Sequence, residues 1–114
     1  MNVNSFSFRK HTRNVEIEGE TYTLDCSEKT GAVSDRCAAE AKKLAAEARN
    51  GTGTTADVKT VYETMFRAAL GDEQTDALLD KFGTSMDVYD YDDLARFLIS
   101  EFNAHHQDRI HGVK

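Results

Sequence analysis

A chain of 114 residues has room for one ordinary domain and not for two. Hydrophobic residues at 39% can supply a core, and charged residues at 30% argue for a water-facing surface rather than a membrane one. The formal charge of −6 is unevenly spread: residues 1–50 hold eight basic and eight acidic side chains, residues 51–114 six and twelve. That acidic half repels a phosphate backbone, which argues against DNA or RNA as the main partner.

The opening Met1-Asn-Val-Asn-Ser has no basic stretch leading into an apolar run, so no secretory signal is expected. No stretch approaches the ~20 apolar residues of a membrane helix. Cys26 and Cys37 are too few for a disulfide framework, and the expectation is a cytoplasmic protein with reduced thiols.

The first quarter reads as β. Val3 to Phe8 alternates with period two, with Phe6 and Phe8 on one face. Val15 and Ile17 alternate with Glu16 and Glu18, and Tyr22 and Leu24 with Thr21 and Thr23. Gly19, within Glu18-Gly19-Glu20, supplies the positive φ of a tight hairpin turn. A hairpin or three-stranded sheet over residues 3–26 follows, with its Glu16, Glu18, Thr21, Thr23 face left to water or to pairing.

After Thr30-Gly31 the period becomes helical. Val33, Cys37, Ala41, Leu44, Ala45 and Ala48 recur at helical spacing, with Ser34 or Asp35 as cap. Asn50 to Gly53 is a loop. A second helix is predicted from Asp57 to Leu70, capped by Thr54 and ended by Gly71. A third runs from Glu73 to Lys81 and stops at Gly83. A fourth starts at an Asp90 cap, with Tyr89 and Leu94 as a hydrophobic staple, and its apolar stripe ends at Phe102. The helical region is thus 31–104, and residues 105–114 are expected to fray. The fold expected is α+β: a small antiparallel sheet followed by a bundle of about four helices, in a single domain spanning 1–114.

Motifs for chemistry are lacking. His105, His106 and His111 do not have the spacing of three or four that puts two imidazoles on one helix face, so no metal site is expected. Counting from Asp87, the sixth position is Asp92 where a calcium loop needs glycine, so Asp87, Asp90, Asp92 and Asp93 read as a helix start. Cys26 and Cys37 are eleven apart, neither a redox nor a zinc pair, and Cys37 reads as core. There is no phosphate loop, dinucleotide fingerprint or nucleophile elbow. No catalytic residue, cofactor or metal is assigned, and the expectation is a protein that is not an enzyme.

The layout itself carries a resemblance. The hairpin Val15-Glu-Ile-Glu-Gly-Glu-Thr-Tyr-Thr-Leu-Asp, then Val61-Tyr-Glu-Thr-Met-Phe leading to Ala69-Leu-Gly and Asp76-Ala-Leu-Leu, resembles the tail assembly chaperones of long-tailed phages and prophages over roughly residues 13–102. The resemblance implies a non-enzymatic chaperone that coats a helical tape measure protein in the host cytoplasm and forms homo-oligomers. It transfers no functional residue.

Apolar grooves between helices suit that role, and Met65, Phe66 and Met86 are the candidate partner-binding residues, since methionine adapts to many shapes. For self-association, Arg9, Lys10 and Arg13 are expected to meet Asp87, Asp90, Asp92 and Asp93 of another copy, with strand pairing along Val3–Phe8 as a second joint. The alternatives are a structural tail or virion component, and a small nucleic-acid-binding regulator using Arg9, Lys10 and Arg13.

Overall fold

In a computed structural model, residues 3–8 and 10–110 are described. Strand β1, Thr12–Ile17, pairs antiparallel with β2, Glu20–Asp25. Val15 stands opposite Tyr22 and Arg13 opposite Leu24, so Val15, Tyr22 and Leu24 share one face and are buried there. The two-residue turn holds Glu18 at φ 52° and Gly19 at φ 80°, the pair of positive angles that matches the twist of a hairpin.

Among the described residues the sheet has two strands, not three. Residues 3–8 form no strand, because alternation supplies a face but not a neighbour. The outer edge of β2 is already occupied: the Gln74 side chain accepts from the Thr23 N–H at 3.0 Å and donates to the Thr23 carbonyl at 2.9 Å.

Three α-helices follow among the described residues where about four were expected. Helix α1, Glu28–Arg49, begins about two turns before the expected cap at Ser34 or Asp35, because Ser27 accepts from the Thr30 N–H and caps it. Gly31 therefore lies inside the helix, where a Cβ would come within 2.8 Å of the Phe102 ring. Helix α2, Thr55–Phe82, is capped by Thr54 and absorbs the expected second and third helices as two arms bent at Gly71. Arg67 on the first arm bonds Asp72 and Asp76 on the second and bridges the bend. A single 3₁₀ turn, Gly83–Ser85, leads to helix α3, Val88–Ile110.

The start of α3 also differs from expectation. Asp87 is the cap, bonding the Asp90 N–H at 2.9 Å, while the Asp90 carboxylate accepts from the Asp87 N–H at 3.0 Å. This reciprocal box leaves Tyr89 75% exposed, so the Tyr89–Leu94 staple does not form. Helix α3 continues past the expected limit at residue 104 to Ile110, and residues 111–114 lie outside the described part. The reason is the hairpin. Arg13 pairs with Glu101 at 2.7 Å and Asp108 at 3.3 Å, and His106 Nε2 lies 2.9 Å from the Cys26 carbonyl.

Helix α2 is the centre of the core, packed against α1, α3 and β2. Met65, Phe66, Ala69 and Leu78 of α2 meet Leu24 of β2, Ala41 of α1 and Leu98 of α3 in one buried cluster.

Candidate functional site

The expected partner-binding residues separate on folding. Met65 is 1% exposed and Phe66 is fully buried, with the Phe66 ring 5.7 Å from that of Tyr91. Both are core, because α2 is covered on more than one side and so buries adjacent positions; neither offers surface to a partner. Met86 is half-buried and lines a cleft.

That cleft, about 480 Å³, lies where three separate pieces of chain converge: the turn end of the hairpin, the last turns of α2 with the 3₁₀ turn, and the first half of α3. Its floor is apolar, built by Ile17, Leu78, Phe82, Met86, Leu94 and Phe97. Its rim carries Glu16, Glu18, Asp90 and Asp93, and among the described residues its lining includes no Lys or Arg. Glu16, Glu18 and Asp93 make no ion pair among the described residues. Glu18 holds its place at a backbone angle that glycine or asparagine adopts more readily, an outlier sited at the cleft mouth.

The charged residues expected to join copies divide in the same way. Asp90 and Asp93 reach the cleft. Asp87 is spent on the cap, and Asp92 accepts from the Tyr62 hydroxyl and pairs with Arg96 at 2.7 Å. Arg13 pairs with Glu101 and Asp108 of its own chain. Lys10 is exposed, and Arg9 lies outside the described residues. Sequence reasoning missed Glu16, Glu18, Leu94 and Phe97 as cleft residues, since only tertiary structure brings the hairpin turn to α3.

A second hollow, about 330 Å³, lies between α1 and α2, lined by Arg36, Cys37, Glu40, Val61 and Thr64. The hollow gathers no convergent set of reactive groups. Burial raises the thiol of Cys26 to about 11 and that of Cys37 above its ordinary value, so both are inert as nucleophiles at neutral pH. Burial, first, and then the neighbouring charges of His106, Arg13, Arg109 and His11 lower the pKa of His105. Among the described residues no group of His, Cys, Asp and Glu has the arrangement of a metal site, and His111 lies outside them. No described helix is long and apolar enough to cross a membrane.

The hydroxyl that links the core to the cleft helix is the site of a pH prediction. Burial, and then the hydrogen bond to Asp92, push the Tyr62 phenol from 10 to about 12. A phenol raised on folding stabilises the native state fully below pH 10 and loses that contribution as pH climbs through about 12. Urea midpoints measured from pH 7 to pH 12 should therefore fall, with on the order of 2 kcal/mol traceable to Tyr62. Tyr62→Phe should be less stable by about 1–2 kcal/mol at pH 7 and should show a shallower alkaline fall, the remainder coming from Tyr22 and Tyr91, which burial also raises.

The cleft thus sets an apolar floor between carboxylates, and no group of His, Cys, Asp and Glu arranged to hold a metal lies among the described residues. No family model, curated protein or solved structure matches this chain.

Proposed function

We propose that this chain is a non-enzymatic binding protein that shields an apolar helix of a larger partner during assembly. In the phage-tail setting that its sequence resembles, the partner is the tape measure protein. The acid-rimmed cleft carries this reading. Its volume suits a few anchor side chains, the i, i+3, i+4 residues of one helix face, rather than an entire helix. The carboxylates select a helix whose apolar stripe is flanked by Lys or Arg, and they disfavour nucleic acid.

Glu18 separates binding from folding. A side chain in the left-handed region is strained, so Glu18→Asn should raise stability by roughly 0.5–1 kcal/mol. The same change removes a rim charge. Fluorescence titration of an amphipathic peptide with Lys-flanked leucines at helical spacing should show Glu18→Asn and Phe97→Ala each binding about five- to tenfold more weakly than the parent chain, with a salt dependence that Glu18→Asn reduces. Affinities unchanged in both variants would refute the reading. A chaperone should also be missing from finished particles by mass spectrometry, whereas a structural tail component would remain.

A further inference from the structure

Three of the chain's four histidines meet at the base of the hairpin, the end away from the cleft. His11 stands just before β1, and His105 and His106 lie on the last turns of α3. His106 Nε2 lies 2.9 Å from the Cys26 carbonyl, and Arg109 Nη1 lies 3.1 Å from His11 Nδ1. The His105 and His106 rings stand edge to face with centroids 5.7 Å apart, and Phe102 packs on His106 at 4.5 Å. The Nε2 of His105 is buried and has no hydrogen-bond partner among the described residues.

These contacts fix where protons sit. An arginine only donates, so His11 Nδ1 accepts and carries no hydrogen. Protonated, His11 has no lone pair there and turns an N–H toward the Arg109 guanidinium. A carbonyl only accepts, so His106 donates from Nε2, which either charge state allows. A charged His105 holds a cationic N–H at its buried Nε2 with no acceptor, which costs more than the neutral ring.

The surroundings add like charge. Around His105 stand His106, Arg13, Arg109 and His11, and Lys10 precedes His11 in sequence. The carboxylates beside the junction are engaged: Glu101 and Asp108 pair with Arg13, and Asp25 accepts from the Ser27 N–H. On the first turn of α1, which meets α3 through Gly31 and Phe102, Glu28 and Lys29 are exposed and opposite in sign.

We propose that His11, His105 and His106 form a pH-sensitive latch. Uncharged, they let the last turns of α3 grip the base of the hairpin; charged, they release it. The hairpin and α3 are two walls of the cleft, so release also loosens the surface that holds a partner. That second step rests on the cleft being a binding site, whereas the latch itself does not. Burial first, and then the cationic neighbours, lower the pKa of His105 below its ordinary 6.5. Its contribution to stability is therefore complete above pH 6.5 and is lost as pH falls from there toward the lowered value.

Amide hydrogen exchange of the full chain at about pH 7.5 and about pH 5.5, corrected for the intrinsic rate, tests this. In the parent chain, protection over residues 102–108 should fall about tenfold at the lower pH, while residues 62–70 of α2 change less than about twofold. His11→Gln/His105→Gln/His106→Gln keeps neutral hydrogen-bonding groups that cannot charge, and its protection should be equal at the two pH values. If that variant does not fold, the parent's ring proton shifts decide, since His105 should titrate in step with the loss of protection. Equal protection at both pH values in the parent, a loss shared by α2, the same loss in the triple variant, or His105 shifts that move without it overturns the latch. The Lys-flanked peptide separates the two readings. Its affinity should drop about fivefold between these pH values in the parent and hold steady in the triple variant, pH 5.5 lying above the range where carboxylates usually take up protons. Peptide that never binds at the higher pH sinks the binding reading and leaves the latch to the exchange data. Peptide bound equally at both, beside a latch that opens, refutes the coupling to the cleft.

Discussion

Replacing Phe66 with alanine is expected to lower stability by about 3–5 kcal/mol and to leave the chain largely unfolded at physiological temperature. The side chain is wholly buried at the point where α2 meets α3, its ring 5.7 Å from Tyr91 and within the cluster that holds Leu24, Met65 and Leu98. Truncation removes both the transfer energy of the ring and its contacts with neighbours that can close the void only partly. Phe66→Leu keeps most of the volume and should cost less than half as much. Thermal melts followed by circular dichroism distinguish this from a role in partner contact. A surface residue would leave the melting temperature unchanged and weaken binding, and Phe66 should do the reverse once the surviving folded fraction is accounted for.

Gly71→Ala should cost about 1–3 kcal/mol through backbone strain alone. Gly71 sits at φ 79°, ψ 162°, a region that essentially only glycine occupies, and a Cβ there would meet nothing within 4 Å. Sterics with neighbours therefore contribute nothing, and alanine, a better helix former, gains nothing at a position that is not helical. The bend directs the second arm of α2 toward the hairpin, where Gln74 bonds Thr23 and Lys81 pairs with Glu20. Straightening it would withdraw Leu78 and Phe82 from the cleft floor. The melting temperature should drop by at least about 4 °C, and the Lys-flanked peptide should bind more weakly in proportion to the loss of the bent form. An unchanged melting temperature would show that the bend is dispensable.

The hairpin was legible because two cues agreed: alternation at Val15–Ile17 and Tyr22–Leu24, and a glycine where the turn needs positive φ. Helix α2 was legible as a stripe with a break at Gly71, but a glycine that ends a helix and one that bends it look alike in sequence. What decides is whether the second arm has somewhere to pack, and β2 provides it. At the start of α1, the helical period was read only after Thr30-Gly31; Gly31 lies inside the helix because the Ser27 cap precedes it and the Phe102 ring needs the space. At α3, Asp87 and Asp90 are three apart, and either could be the cap until their mutual bonding is seen. The Val3–Phe8 alternation misled for a simpler reason, since a strand needs a partner and none pairs with it among the described residues.

The cleft was illegible as a unit. Its carboxylates come from β1, from the turn and from α3, and each of those stretches alone reads as an ordinary solvated surface. Asp90 and Asp93 entered the sequence reading as part of an acidic run, but Glu16 and Glu18 join them only after Arg13, Glu101 and Asp108 have laid the hairpin along α3. Met86 reaches the cleft from the link between the 3₁₀ turn and α3, while Met65 sits inside α2, which is packed on several sides so that helical periodicity alone cannot say which of its positions stay open.

Backbone amide shifts recorded while the Lys-flanked helical peptide is added to the full chain bear most directly on the whole reading. Perturbations should gather at residues 16–18 and 86–97 and spare the α1 face around residues 36–48. Shifts centred on α1, or none at saturating peptide, would mean that the surface between these carboxylates holds no other chain.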